Sequence, residues 1–382
     1  MRPSGQHILF LATEFDAPGM RPYARTIINA MWRPGDSVLI VTRHGVDMQG
    51  LGNVDAQAVT WIDYPAGKVR RAAFRYRPSQ VTRAIDGLTR RHGINLVYSL
   101  TGELILAGSI KRLQRHTPVL YTVHDAVSHD YKYTTLARWL KDKLIIEWPQ
   151  RHLFRHARLM VTNSRAQADD MARRYPGRQV HYAPFPTLVS GAIAHGTAPV
   201  PELQDIDTSR GCILFFGMLH LYKGVHLLYN AYLDHPGLQD RPLVIAGKGD
   251  IYFERRADER NVVFINRYIG DEEMRDLFSR AATVVYPYIS ATQSGVISVA
   301  SHFGKPIVVS RLPFFAEACP APAQGVEFFE PGDGSALAAA VGRSLQSGAT
   351  TRQLYDTVYS PQAMGAALEQ IFEAAARHGQ RQ

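Results

Sequence analysis

The chain is poor in cysteine: its 382 residues hold two, Cys212 and Cys319, which do not form a CxxC pair. A disulfide framework is therefore excluded, and a reducing cytosol fits better than secretion. No apolar run reaches the ~20 residues needed to cross a bilayer. The polar lead from Met1 to Gln6 runs directly into Ile8–Ala12, with Glu14 and Asp16 close behind. That pattern is a first core strand rather than a signal peptide. The expected location is cytoplasmic, either free or peripheral on the inner face of the membrane. With 46% hydrophobic and 20% charged residues, and 30 Gly and 22 Pro without a repeat, the chain is neither disordered nor collagen-like. At roughly 100–200 residues per domain, the length favours two domains.

The net charge of +9 is unevenly spread. Residues 1–190 carry 27 Lys and Arg against 14 Asp and Glu, a surplus of 13, whereas the remainder carries 16 against 20, a deficit of 4. A basic first half suits phosphate, lipid headgroups or nucleic acid, or is simply an arginine-rich soluble surface. The arginines are scattered and no RNA- or DNA-binding module is recognisable, so nucleic acid is not an expected partner.

Short apolar, β-branched runs recur along the chain. In the first half they are Ile8–Ala12, Ser37–Thr42, Val59–Ile62, Leu96–Ser99, Val119–Val123, Leu159–Thr162 and Val180–Ala183. Continuous apolarity without alternation marks parallel strands covered on both faces. Amphipathic stretches separate them at Arg21–Met31, Ser79–His92, Leu104–Arg115, Thr134–Trp148 and Arg165–Arg174. The order predicts a doubly wound α/β domain over 1–185. Residues 186–210, with Pro186, Gly191, Gly196, Pro199 and Pro201 and no apolar period, read as a linker. A second βα series over 211–360 repeats the pattern, and Pro361–Arg377 reads as a closing helix, with Met364, Leu368, Ile371 and Phe372 at helical spacing. The expected architecture is two Rossmann-like domains with ligands in an interdomain cleft at the carboxyl ends of the strands.

The most informative stretch runs from Cys212 to Ser310. A buried strand, Ile213–Phe216, stops at Gly217, and Lys223-Gly224 opens a helix. Backbone N–H groups and the helix dipole there offer partial positive charge, to which the ammonium adds a full unit. After another strand, Ser290–Ser294 is uncharged and rich in donors, with Ser294 a natural N-cap for a helix at Val296. Together the two elements would suit a diphosphate. A pair of ordinary turns with capped helices is the alternative.

These segments are recognisable. Phe215-Phe-Gly-Met-Leu-His-Leu-Tyr-Lys-Gly224 resembles the FxGR…KG segment of retaining GT-B glycosyltransferases of family 4. Pro242-Leu-Val-Ile-Ala-Gly-Lys-Gly249 resembles their next strand and G-x-G turn. Ala291-Thr-Gln-Ser-Gly-Val-Ile297, with Phe303-Gly-Lys-Pro-Ile307, is similar to a branch reading A-T-Q-S-G-V…G-K-P-V, and Phe329-Glu-Pro-Gly-Asp333 resembles the closing PGD turn. The resemblance implies a GT-B enzyme with a nucleotide-sugar as donor substrate, no cofactor, no metal and retention of anomeric configuration. It implies that the second domain holds the donor, through Gly217, Lys223, Ser290, Thr292, Gln293, Ser294 and Gly295. The family's arginine after the glycine is Met218 here, and its E-x7-E pair is absent: Ser290 and Ala291 lie near the first glutamate's place and Val299 at the second's. Backbone amides or Glu317 are the candidate substitutes for the lost ribose contact.

The first half offers Tyr121-Thr-Val-His-Asp125 at a strand end, which resembles the family's T-x-H-D segment. The resemblance implies that His124 reaches the donor sugar, and His124 and Lys223 are the expected catalytic residues. Gly19, Arg21 and Asp125 are the expected acceptor contacts, with His129, Asp130 and Tyr131 as neighbours. The acceptor would be a saccharide, a lipid-linked sugar or a metabolite, in polysaccharide or glycolipid synthesis. Leu136, Trp139, Leu140, Leu144 and Trp148 approximate one helix face, close in sequence to Arg70, Arg71, Arg75 and Arg77. That face either packs in the core or meets an anionic membrane surface. Two rivals stay open: a non-catalytic GT-B partner subunit, motivated by the missing glutamates, and a same-fold nucleotide-sugar epimerase or phosphorylase.

Overall fold

The computed structural model describes residues 2, 4–17, 19–76, 79–102, 104–124, 126, 143–291, 294–320 and 323–380. Asp125, His129, Asp130, Tyr131, Thr292, Gln293, Arg77 and the 134–142 part of the amphipathic stretch lie outside them.

The chain divides into two units, one of residues 1–184 and 364–382, the other of residues 185–363. In the first unit, β1 (Ile8–Ala12), β2 (Ser37–Thr42), β3 (Val59–Asp63), β4 (Leu96–Ser99), β5 (Val119–Val123), β6 (Leu159–Thr162) and β7 (Gln179–Tyr182) form one sheet in the order β3-β2-β1-β4-β5-β6-β7. Every pair is parallel. The inner strands β1, β2, β4, β5 and β6 are buried at every residue, which is why their sequences are apolar without alternation. The edge strand β7 is only half-buried. The Met20–Met31, Ser79–His92 and Arg165–Arg174 helices supply cover, each burying one stripe such as Val81, Ile85 and Leu88.

Arg2 anchors the start of this unit. Its guanidinium forks onto both carboxylate oxygens of Asp36, which also accept the backbone N–H groups of Ile8 at 2.8 Å and Arg33 at 2.9 Å. Both side chains are buried. The last helix, Pro361–Gln380, returns to the same unit. It buries Met364, Leu368, Ile371 and Phe372, sets Phe372 against Tyr98 at 5.5 Å, and accepts Gln6 Nε2 on the Phe372 carbonyl at 3.0 Å.

The second unit holds β8 (Cys212–Phe216), β9 (Leu243–Ala246), β10 (Val262–Ile265), β11 (Ala281–Tyr286), β12 (Ile307–Ser310) and β13 (Val326–Phe329), all parallel, in the order β10-β9-β8-β11-β12-β13. Residues 186–210, read in the sequence as a linker, belong to this unit. A short helix, Gly191–His195, and a turn at Pro201–Leu203 bury Ile193, Val200 and Leu203 in its core. Cys212 and Cys319 are buried free thiols, and burial pushes both up to about 12. They are packing residues.

Two helices differ from the expected pattern. Leu104–Arg115 is not one helix but a turn at Leu104–Leu106 and a short helix at Ile110–Leu113. Lys68–Tyr76 is helical although its composition is dominated by basic and small residues.

Candidate functional site

In the second unit, the loops leaving β8, β9 and β11 are tied together by backbone contacts. Gly217 N–H donates to the Ala246 carbonyl at 3.0 Å, and Leu219 N–H to that of Lys248 at 3.0 Å. A Cβ on Gly247 would lie 2.0 Å from the Gly217 oxygen, so the two loops meet with nothing between them. The β8 loop then makes a turn at Leu221–Lys223 and enters the Val225–Asp234 helix through Gly224, whose φ of 67° is left-handed. A side chain at Gly224 would clash with the Pro287 carbonyl, at 1.9 Å. Ile289 N–H donates to the Tyr222 carbonyl at 2.8 Å, closing the loop after β11 onto the same turn.

This construction buries Lys223, which is 8% exposed. Its ammonium donates to the Tyr288 hydroxyl at 2.6 Å and lies 3.9 Å from that ring's centroid and 5.1 Å from the Tyr222 ring's. No carboxylate within 4 Å balances it among the described residues. Burial pushes the amine down to about 8, a drop that interaction with Tyr222 partly opposes. Burial raises the Tyr288 hydroxyl, against a hydrogen bond from Ser294. Lys223 and Ser294 therefore converge on one hydroxyl, and the Ser310 hydroxyl fixes the Tyr288 backbone by donating to its carbonyl at 2.7 Å.

Ser294 is not the expected N-cap. The helix runs Val296–His302 with Gly295 before it and no side-chain cap. Gly295 stands there because a Cβ would meet Leu188 at 2.5 Å and Phe185 at 2.8 Å. Ser298 receives the Leu188 N–H at 3.1 Å and donates back to the Gly295 carbonyl at 2.6 Å. Ser290 is exposed beside the turn, and Glu317 is half-buried on the Pro313–Ala318 helix, whose Phe315 packs edge-on to Tyr288 at 5.2 Å. The sequence reading missed Tyr288, although an aromatic residue two positions beyond a strand's carboxyl end was its visible signal.

In the first unit, His124 follows β5 at the carboxyl edge of the sheet. Its Nε2–H donates to the Leu100 carbonyl at 2.8 Å, and its ring meets Tyr23 edge-on at 4.8 Å. The carbonyl can only accept, so this bond sets the tautomer and the ring plane. Gly19, with φ of 78°, precedes the Met20–Met31 helix in open space. Arg21, expected to meet an acidic acceptor or water, is ion-paired to Asp16 at 2.7 Å and Asp47 at 3.2 Å and lies over the Phe15 ring. Glu14, two residues beyond β1, is paired to Arg75 at 3.4 Å, yet burial leaves its carboxyl raised. Sequence reading did not select it.

Of the stripe read at 134–148, the described part is exposed rather than packed in the core: Leu144 and Trp148 are 62% and 59% exposed. No helix among the described residues is long and apolar enough to cross a membrane. No group of three or more His, Cys, Asp or Glu among them is placed to hold a metal ion.

Both halves of the chain match known proteins. Residues 18–187 match the glycosyl transferase 4-like domain and residues 210–347 match glycosyl transferases group 1. Over 128 residues the chain is 30% identical to the D-rhamnosyltransferase WbpZ of Pseudomonas aeruginosa, a match spanning 30% of this chain and 32% of that protein. The structure of HepE from Anabaena in complex with UDP and glucose superposes with a TM-score of 0.66 at 16% identity, over 96% of this chain and 99% of that one. Sucrose-phosphate synthase from Thermosynechococcus elongatus does so with a TM-score of 0.61 at 19% identity, over 98% of both chains. Two parallel sheets in the GT-B arrangement of strands, matched by both domain families in order along the sequence, show that the chain belongs to the group 1, family 4-like glycosyltransferases.

Proposed function

We propose that the chain is a retaining glycosyltransferase that draws on a nucleotide-sugar donor. The observation that carries this reading is Lys223: a buried ammonium, without a carboxylate among the described residues, at the carboxyl ends of β8 and β11. A buried cation of that kind is costly unless an anion completes it. The donor's diphosphate supplies the anion. HepE, of the same fold, was crystallised with UDP and glucose. As the bond from the sugar's anomeric carbon to the diphosphate breaks, its electron pair moves onto the departing oxygen. Lys223 and the N–H groups around Gly217 meet that growing charge. The acceptor hydroxyl forms the new bond on the same face of the sugar and passes its proton to the departing diphosphate oxygen. The family resemblance assigns His124, whose Nε2–H is held by the Leu100 carbonyl, to the sugar's hydroxyls. The work is mainly orientation and preorganised charge.

This reading assigns diphosphate stabilisation to the protein's own amine and amides rather than to a divalent ion. The acceptor side belongs to the first unit, around Gly19, Glu14 and His124. A lipid-linked acceptor is supported by exposed Val69, Tyr76, Leu144 and Trp148, the Tyr76 hydroxyl donating to the backbone carbonyl of Leu144 at 3.5 Å.

A thermal-shift screen against UDP-, GDP-, ADP- and TDP-sugars tests the donor. Stabilisation by one nucleotide class identifies it, and silence with all four sinks the reading in favour of a non-catalytic subunit. For the responding donor, Lys223→Ala is expected to lower turnover at saturation more than about tenfold, and EDTA to leave wild-type turnover unchanged.

A further inference from the structure

All seven strands of the first sheet run parallel, so residues leading into β6 and β7 gather at the edge opposite His124. The Trp148–His156 helix feeds β6 and the Arg165–Arg174 helix feeds β7, and both end in basic turns. Between them lies an open, solvent-facing pocket of about 570 Å³ lined by Arg151, Arg155, Arg174, Tyr175, Pro176 and Arg178, three of whose arginines are exposed. Tyr175 packs on the core residue Phe154 at 5.8 Å, which anchors the wall of the pocket to the body of the unit.

Four guanidiniums around one pocket repel each other, and the local acids do not offset them. Glu147 is shared between Lys143 at 3.3 Å and Arg151 at 3.2 Å, and Asp170 between Arg173 at 3.6 Å and Arg174 at 2.8 Å. Among the described residues Arg155 and Arg178 have no carboxylate within 4 Å. The four lining arginines thus meet two acids, each of them shared with a cation outside the pocket. The neighbouring imidazoles register the same field: the pKa of His156 is lowered by burial and then by His152, Lys111, Arg178 and Arg155, and that of His152 by burial, Lys111 and Arg155. The negative ends of the two helix dipoles account for basic residues in their last turns. They do not account for guanidiniums from two helices and a following loop converging on one space.

We propose that this pocket binds a phosphate-bearing anion, gripped by Arg155 and Arg178 and flanked by Arg151 and Arg174. Planar guanidiniums match phosphate oxygens in pairs, which a lysine cluster would not do. The site is independent of the donor grip at Lys223 and stands or falls apart from the sugar-transfer reading. The phosphate belongs either to a lipid headgroup or to a soluble phosphoryl compound. Trp148 is 59% exposed and lies three and seven residues before Arg151 and Arg155 on their helix, which is the arrangement a lipid surface would use.

The test has two arms on the full chain. Hydrogen exchange of residues 148–178 is followed with inorganic pyrophosphate, and flotation is followed with phosphatidylcholine vesicles with and without phosphatidylglycerol. Each is repeated with Arg155→Gln/Arg178→Gln, with Arg155→Lys/Arg178→Lys in case the first does not fold, and with Arg311→Gln/Arg343→Gln, which removes equal charge from exposed pairs of the second unit. Protection by pyrophosphate that weakens about tenfold or more in the glutamine variant, and not in the charge control, assigns a soluble ligand. Phosphatidylglycerol-dependent flotation lost in the same variant alone assigns a headgroup. The lysine variant is expected to weaken whichever binding is seen. Neither protection nor flotation in the wild type, or equal loss in the charge control, overturns the proposal.

Discussion

Changing pH, with no substitution at all, probes Lys223 most directly. Burial holds the amine near 8, well below the ordinary lysine value of 10.5, so part of the free protein carries a neutral amine within an accessible pH range. An anion needs the ammonium. With a diphosphate in place, the neighbouring negative charge raises the pKa again, and binding above pH 8 must recruit a proton. The free protein is about 90% ammonium at pH 7 and about 10% at pH 9, so affinity is expected to fall about tenfold between them, or roughly 1.4 kcal/mol. The phosphate groups of the probe are already ionised over this range, their last pKa being near 6. Calorimetry of UDP or GDP, whichever binds more tightly, measures the affinity, and repeating it at pH 8 in buffers of different ionisation enthalpy counts protons, with about half a proton taken up per nucleotide. Lys223→Arg keeps a charge that does not titrate here, and its affinity is expected to stay level. A flat wild-type profile without proton uptake, or an equal slope in the arginine variant, would refute the assignment of Lys223 to the diphosphate.

Other consequences can be measured alongside. In the free protein the depressed pKa of Lys223 means that the charged amine destabilises the fold below pH 8 and that this burden is relieved as pH rises from 8 toward 10.5, because there the unfolded chain binds the proton and the folded one does not. Lys223→Met is accordingly expected to raise unfolding stability at pH 7 by about 1–2 kcal/mol in urea titrations while abolishing nucleotide binding, the gain of roughly 3 kcal/mol from the pKa drop being reduced by the loss of one of the two hydrogen bonds to the Tyr288 hydroxyl. Gly224→Ala must both adopt φ of 67° and displace the Pro287 carbonyl, and is expected to cost about 2–4 kcal/mol, against about 1 kcal/mol for Gly348→Ala, which has φ of 57° but open space; equal losses would remove the close-approach argument. Asp36→Ala leaves the Arg2 guanidinium buried and unpaired, at an expected cost of about 3–5 kcal/mol in thermal or urea unfolding, and adding Arg2→Met should restore most of it.

The strands were legible because a parallel strand with both faces covered has no polar position to interrupt it, and β1, β2, β4, β5 and β6 are buried throughout. Helices were legible where an apolar stripe repeats, as in Ser79–His92, and obscure where it does not. Lys68–Tyr76 offers few apolar positions, and the stretch after Leu104 is broken at Gly108 and Ser109, beyond which only Ile110–Leu113 coils. Lys223 could be found because a glycine at a strand end and a lysine at a helix start are local signals. Its partner Tyr288 lies 65 residues away, and no local pattern connects the two. The cap assigned to Ser294 failed for the same reason: the position of Gly295 is decided by Phe185 and Leu188, more than a hundred residues earlier in the chain.

The returning helix has a bearing on how the molecule comes into being. Met364, Leu368, Ile371 and Phe372 complete the hydrophobic interior of a unit whose other residues are nearly all made before residue 185. During translation the earliest-made half therefore waits, unfinished, while residues 185–363 emerge with everything their own core requires. The part synthesised second is the first able to reach its final form. A chain released after residue 363 would present a complete second half tethered to a first half with an open apolar seam, a species suited to chaperone capture.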